Sequence, residues 1–153
     1  MEQEYKSLLA QFQNDTIGDP GQLQPLVLAY IGDAVHNLFI RHYLISTSHA
    51  QVNQLHKSSV SFVAAHSQSE VIHEIFPQLT EKEQSIVKRG RNAKSASVPK
   101  NADVTEYKYA TGFESLVGYL FLNKELDRLM EILELSVAIL IKEKEEKSQE
   151  ELP

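Results

Sequence analysis

The chain has 153 residues and no cysteine, so it is long enough to bury one hydrophobic core and excludes disulfide bonds and thiolate metal ligands. Its N-terminal segment is too polar for a signal peptide, and its longest apolar stretch is about half of a membrane span; we therefore expect a cytoplasmic protein with no membrane partner. The net charge of −6 argues against a polyanionic partner unless the basic residues are concentrated in one place.

The spacing of apolar residues predicts an all-α protein, because glycine and proline are scarce and no segment alternates apolar and polar residues for long. The predicted helices are 3–13, 23–45, 49–76 (broken near 58–61), 81–93, 104–122 and 124–147. Capping boxes are predicted at 48–51 and 80–83, and 103–106 approximates one. We predict one domain over residues 1–147, followed by an acidic, frayed tail at 148–153.

The predicted helix 23–45 carries a single acidic residue inside an otherwise mostly apolar run. Positions four residues apart are Ala29, Asp33, Asn37 and Arg41, which form a narrow polar stripe on one face. An ionised carboxylate in an apolar setting requires a cation or a hydrogen-bond donor. From this helix alone, a solvent-facing stripe in which Asp33 bonds Asn37 explains the pattern equally well.

The segment 107–122 also carries a single acid, Glu114, whose same-face neighbours Thr111 and Gly118 are small enough for a backbone or a ligand to approach. Two helices with one carboxylate each suggest that the acids face each other, and facing carboxylates repel unless they share a proton or a cation. Mg²⁺ suits such a pair, because it uses one or two carboxylates, keeps several waters and takes phosphate oxygens as its remaining ligands.

The basic residues are concentrated between positions 88 and 108, a segment with six basic residues and two acids. Its centre has the small and polar composition of a loop. A charged loop that is merely solvated is the simpler explanation, and phosphate binding is the functional one. The residues predicted to contact phosphates are Arg89, Arg91, Asn92, Lys94, Ser95, Lys100 and Lys108.

Two motifs, LAYIGDAV at 28–35 and FESLVGYL at 113–120, resemble the signature helices of the ribonuclease III catalytic domain. The segment between them, with RGRNAKS at its start, resembles the short bacterial members of the Mini-III type. This resemblance implies a ribonuclease III-like helical endonuclease fold in which Asp33 and Glu114 are the catalytic, metal-binding residues. Where the family usually has two further site acids, this chain has Ala29 and Thr111, so one metal ion is expected and a second stays open.

The resemblance implies a Mg²⁺-dependent endoribonuclease, with Mn²⁺ as a substitute, that cleaves double-stranded RNA to 5′-phosphate and 3′-hydroxyl ends. No side chain is an evident general base, so an activated water is expected to take that role. The resemblance also implies a homodimer and a role in maturation of the 23S (large-subunit) ribosomal RNA precursor, with a ribosomal protein as a possible helper. The chain ends before a double-stranded-RNA-binding domain, so the catalytic domain is expected to hold RNA by shape and in a salt-sensitive manner.

The residues leave two other functions open. Because half of the usual site acids are absent, the protein could be an RNA-binding or ribosome-assembly factor without turnover. It could also be a helical protein–protein module, whose basic loop would tolerate charge reversal. The histidines form no helical zinc pair, and His36 is the histidine nearest in sequence to Asp33.

Overall fold

The computed structural model describes residues 1–12, 15–94 and 98–153, and these residues form seven α-helices and no β-strand. The helices are α1 (Glu2–Phe12), α2 (Pro25–Thr47), α3 (Val52–Val63), α4 (Ala65–Ile75), α5 (Glu81–Asn92), α6 (Val104–Leu122) and α7 (Leu126–Glu150). None of the described helices combines the length and the apolarity that a membrane span requires. The all-α prediction is confirmed, and α7 continues three residues into the segment that was predicted to fray.

Helix α6 is the centre of the fold, with α2, α4, α5 and α7 packed around it. Phe113, Leu116 and Leu120 of this helix are fully buried, and Leu28 and Ile40 of α2 join them in the core. A helix that is apolar on nearly all sides is expected to be buried in this way. Within residues 112–120, Glu114 is the one residue that is not buried, so this buried part of α6 presents a single carboxylate to the surface.

The predicted helix starts differ in how well they match the structure. At α5 the capping box is complete, because the Thr80 hydroxyl accepts from the Glu83 amide (3.1 Å) and the Glu83 carboxylate accepts from the Thr80 amide (2.9 Å). The Asp103 carboxylate caps α6. The capping box predicted at 48–51 is wrong: α3 begins one residue after Gln51, and the Ser48 hydroxyl bonds a loop amide instead.

The long predicted helix 49–76 is interrupted at Ala64 and not near 58–61. Ala64 has an extended backbone (ψ 149°) that ends α3 and starts α4. The hydroxyl of Ser67 donates to the carbonyl of Ser61 (2.7 Å) across this break. Ser59, which lies in the predicted break, is a buried helical residue.

A buried ion pair joins the start of α5 to α7. Glu83 is only 4% exposed, and Arg128 donates from Nε and Nη2 to its two carboxylate oxygens at 2.9 Å each. Burial alone would raise the pKa of Glu83, but the hydrogen bonds from Arg128 and from the Thr80 amide outweigh it and hold the pKa below its ordinary value of 4.5. The ionised carboxylate is therefore the stabilising form.

Replacing Arg128 by alanine is expected to lower the free energy of unfolding by about 2–4 kcal/mol, because Glu83 would stay buried without its cationic partner. Urea denaturation at neutral pH measures the loss. Glu131→Gln is the matched control, since it removes only the exposed partner of Arg128 and should cost less than about 0.5 kcal/mol. The difference between wild type and Arg128→Ala should shrink as the pH falls below 4.5; a difference that stays constant there would contradict this role.

Candidate active site

Helices α2 and α6 cross in direct backbone contact at two glycines. A Cβ added to Gly32 would lie 1.8 Å from the carbonyl oxygen of Glu114, and one added to Gly118 would lie 1.9 Å from the carbonyl oxygen of Leu28. Neither position can hold a side chain unless the helices move apart. Because Asp33 follows Gly32 in the chain, this crossing sets Asp33 of α2 beside Glu114 of α6.

Small residues also bring α5 against α6. A Cβ on Gly112 would lie 2.8 Å from the carbonyl oxygen of Val87, and one on Gly90 would lie 2.5 Å from the Ser115 hydroxyl. That hydroxyl is within hydrogen-bond distance of the carbonyl oxygens of Pro25 (3.0 Å) and Thr111 (2.8 Å). Helix α6 is therefore held closely on both sides of Glu114, which limits how far its carboxylate can shift.

The structure brings the two predicted site acids together at the surface end of this crossing. Asp33 is exposed and Glu114 is half-buried, and the two carboxyl groups lie within hydrogen-bonding reach of each other. Burial, the negative charge of Asp33 and the hydrogen bond between the two carboxyl groups raise the pKa of Glu114 to about 8. Without a cation, the pair is therefore expected to retain a proton at neutral pH.

The donor set fits a hard cation that keeps much of its hydration. Among the described residues no group of three or more His, Asp or Glu side chains could form an all-protein cage. Ala29 is buried, and the Thr111 hydroxyl donates back to the Tyr107 carbonyl (3.0 Å), so neither supplies a further charged ligand. Two carboxylate ligands with open positions match the way Mg²⁺ is usually bound.

Three of the predicted RNA contacts surround one cleft next to this site. The side chains of Asn92, Lys94 and Lys108 line a cavity of about 460 Å³ between the end of α5 and the first half of α6. Thr111, one helical turn before Glu114, lines the same cavity. The cleft therefore lies between the basic segment and the turn of α6 before Glu114, and the two carboxylates themselves do not line it.

The other predicted RNA contacts are placed differently. Arg89 donates to the carbonyl oxygens of Gly21 and Leu23 at 3.0 and 3.1 Å, which ties the segment before α2 to α5. Arg91 lies over the ring of Tyr109, 5.7 Å from its centre. Lys100 is exposed beyond the cleft. Ser95 lies outside the described residues.

His36, the histidine nearest to Asp33 in sequence, belongs to the core. It is buried, its Nδ1 lies 3.0 Å from the Gln68 amide nitrogen, and its ring meets that of Phe113 edge to face. Burial lowers the pKa of His36 to about 4, so it is neutral at physiological pH. The role of Gly32 is not predicted from sequence; its signal is a glycine directly before the one acid of an apolar helix, matched by Gly118 after the other.

Known proteins are similar to this chain over most of its length, both in sequence and in structure. Residues 26–125 match the ribonuclease III domain family. A Mini-ribonuclease 3 from Thermoanaerobacter sp. (strain X514) is 51% identical over 118 residues, which is 77% of this chain and 83% of the relative. A Mini-ribonuclease 3 from Clostridium tetani is 49% identical over 134 residues, 87% of this chain and 86% of the relative. A crystal structure of a Fusobacterium nucleatum protein is similar with a TM-score of 0.69 and 32% identity, covering 80% of this chain and 95% of that chain.

The carboxylate pair makes a prediction about pH. In EDTA, the protein should lose stability as the pH rises from 4.5 through about 8, because Glu114 ionises freely only in the unfolded chain over this range. Glu114→Gln should lose less stability over this pH range and should be more stable than the wild type near pH 8, since each pKa unit corresponds to about 1.4 kcal/mol. Urea denaturation across this pH range measures both.

Adding Mg²⁺ at the upper end of the range should restore stability to the wild type and not to Glu114→Gln. Glu134→Gln, at an exposed glutamate of α7, is the control and should follow the wild type. Parallel stability curves for wild type and Glu114→Gln would show that the two carboxylates do not interact.

Proposed function

The chain belongs to the ribonuclease III family and is an endoribonuclease, a hydrolase, of that type; from this premise we propose that it cleaves double-stranded RNA with one Mg²⁺ held by Asp33 and Glu114, directly or through water. Enzymes of this type act on double-stranded RNA and generally depend on a divalent metal. The observation that carries the proposal is the meeting of two carboxylates at the glycine crossing of α2 and α6, beside a cleft lined by lysines.

The residues of the site divide the work between binding a cation and positioning RNA. Asp33 and Glu114 supply hard anionic oxygens from two helices whose separation is fixed by packing. A divalent cation bound there would lower the pKa of a water and shield the scissile phosphate, which permits in-line hydrolysis to 5′-phosphate and 3′-hydroxyl ends. Mn²⁺, with the same preference for oxygen ligands, is expected to substitute.

RNA would be held by the basic segment that borders the site. Lys94, Lys108 and Asn92 offer donors around the cleft, with Arg91 and Lys100 nearby, and Ser95 is retained from the sequence prediction. Arg89 would have to give up its bonds to two backbone carbonyls to reach a phosphate. The basic segment can attract a polyanion locally, although the net charge of the whole chain is −6.

The exposed face of α2 supports a homodimer. Tyr30 and Leu38 are 82% and 72% exposed, and Val27 and Ile45 are also exposed on the same side of the helix, with the small Ala34 between them. Arg41 is also exposed on this side, so the face is mainly apolar with one cation, and exposed apolar groups clustered in this way are typical of an interaction surface. Two copies of the chain packed through this face around a two-fold axis would form a dimer with one carboxylate pair in each subunit.

We propose the precursor of 23S ribosomal RNA as the natural substrate, in the cytoplasm and with a ribosomal protein as a possible helper. This step is supported by the likeness to proteins named Mini-ribonuclease 3 and by the resemblance to the Mini-III type. A ribosome-assembly factor that binds RNA without turnover is the second candidate, favoured by the replacement of the usual acids by Ala29 and Thr111.

Cleavage of a perfect RNA duplex tests the proposed function. The protein with Mg²⁺ should cut the duplex to products with 5′-phosphates, and both EDTA and Asp33→Asn should abolish the cut, because each removes the cation site. Products are resolved by gel electrophoresis and their ends by phosphatase treatment. Binding of the duplex without cleavage would favour the assembly factor, and the absence of both would favour a protein–protein module.

RNA binding should depend on salt through the basic segment. Arg91→Ala is expected to weaken duplex binding similarly for different sequences and to lower the slope of log Kd against log salt concentration by about one, since one phosphate contact is lost. Binding is measured in EDTA to prevent cleavage. Lys142→Ala, an exposed lysine of α7, is the control; an unchanged slope in Arg91→Ala would remove Arg91 from the phosphate contacts.

The homodimer is tested by the mass in solution. Sedimentation equilibrium should give twice the chain mass of 17.3 kDa, and Tyr30→Glu should give the monomer, because it buries a charge in the proposed interface. Met130→Glu, at an exposed apolar residue of α7, should remain dimeric. A monomeric wild type at micromolar concentration would refute this interface.

A further inference from the structure

Asn37 contacts the exposed member of the carboxylate pair. It lies one helical turn after Asp33 on α2, and its Nδ2 donates to the Asp33 side-chain oxygen Oδ1 at 3.0 Å and to the Asp33 carbonyl oxygen at 2.9 Å. The two N–H groups of one amide are thus directed at the same residue. An exposed aspartate would otherwise be free to rotate about both side-chain torsions, so these bonds select one orientation of the carboxylate.

Asp33 is therefore held from two directions. Asn37 engages Oδ1 from its own helix, and Glu114 approaches the carboxylate from α6. A neutral donor at position 37 leaves the charge of Asp33 in place and adds none. An ionised side chain there would either neutralise Asp33 or repel it, and the cation site would change in both cases.

The hydrogen bond between Asn37 and Asp33, four residues apart, stabilises the helix only slightly, and asparagine is costly in a helix interior. Asn37 lies in the middle of a helix of 23 residues, where asparagine is a poor helix former because its side chain competes for backbone hydrogen bonds. Its side chain is half-buried at the edge of the exposed apolar face of α2, and its amide donates a hydrogen bond to Asp33. A role at the site accounts for the choice of residue.

We propose that Asn37 is a positioning residue of the active site: its amide fixes the rotamer of Asp33 and leaves the remaining lone pairs of the carboxylate free for a cation that Asp33 and Glu114 would hold. The inference rests on the proposed function, because it assigns Asn37 a role in preparing the same site. Asn37 does not itself contact the reacting phosphate. Its contribution is to remove the rotational freedom that Asp33 would otherwise lose on binding the cation.

Titration of RNA-free protein with Mn²⁺, followed by electron paramagnetic resonance, measures the site without reference to cleavage. Asn37→Ala should weaken Mn²⁺ binding about 5- to 10-fold, the effect expected for the loss of one ordinary hydrogen bond. Asn37→Gln should stay within about threefold of the wild type, because a glutamine amide also reaches an aspartate one turn away on a helix. Asn53→Ala, at an exposed asparagine of α3, should bind Mn²⁺ as the wild type does.

Cleavage kinetics separate positioning from RNA contact. Asn37→Ala should lower the cleavage rate several-fold at a Mg²⁺ concentration near the wild-type Kd, recover most of kcat at saturating Mg²⁺, leave KM for duplex RNA within about twofold, and leave the unfolding midpoint unchanged. Unaltered Mn²⁺ affinity in Asn37→Ala, or a change confined to KM, overturns the inference, as does failure of Asn37→Gln to restore Mn²⁺ binding. If the wild type cleaves no duplex, the proposed function fails, and the Mn²⁺ titration still decides the role of Asn37.

Discussion

The contact between the α2 and α6 backbones at Gly32 and Gly118 is the constraint on which the site depends. Added Cβ atoms at these positions would lie less than 2 Å from carbonyl oxygens of the facing helix, so the approach exists only because both residues lack a side chain. Asp33 is the next residue after one glycine, and Glu114 precedes the other by one helical turn. The close packing of the two helices thereby brings the two carboxylates near each other.

The packing of α2 against α6 places two carboxyl groups, which repel each other when both are ionised, side by side. The pKa of Glu114 rises to about 8 through burial and the proximity of Asp33. Without a cation, the two carboxyl groups are therefore expected to hold one proton at neutral pH. A divalent cation would relieve the same repulsion and leave open positions for phosphate oxygens. The basic cleft beside the pair offers the compensating charge that a polyanionic substrate needs, although the whole chain is acidic.

The sequence predicts this architecture well where local rules decide it. The helical period and the cap at Thr80 place α5 within a residue of its observed end, and the isolated acids Asp33 and Glu114 lie close together, as their apolar surroundings suggest. Other features depend on contacts between distant parts of the chain. The charge pattern cannot predict that Arg89 bonds the carbonyls of Gly21 and Leu23, 66 or more positions away, and the break at Ala64 has no proline or glycine to mark it.

The affinity of the RNA-free protein for Mn²⁺ in wild type, Asp33→Asn and Glu114→Gln tests most directly whether both acids hold one cation. Glu134→Gln, at an exposed acid of α7 outside the pair, is the reference for a change of charge alone. Each of the two site variants should bind Mn²⁺ at least about tenfold more weakly than wild type and Glu134→Gln, because each loses one anionic oxygen ligand. Wild-type affinity in either site variant would show that the two carboxylates do not share an ion.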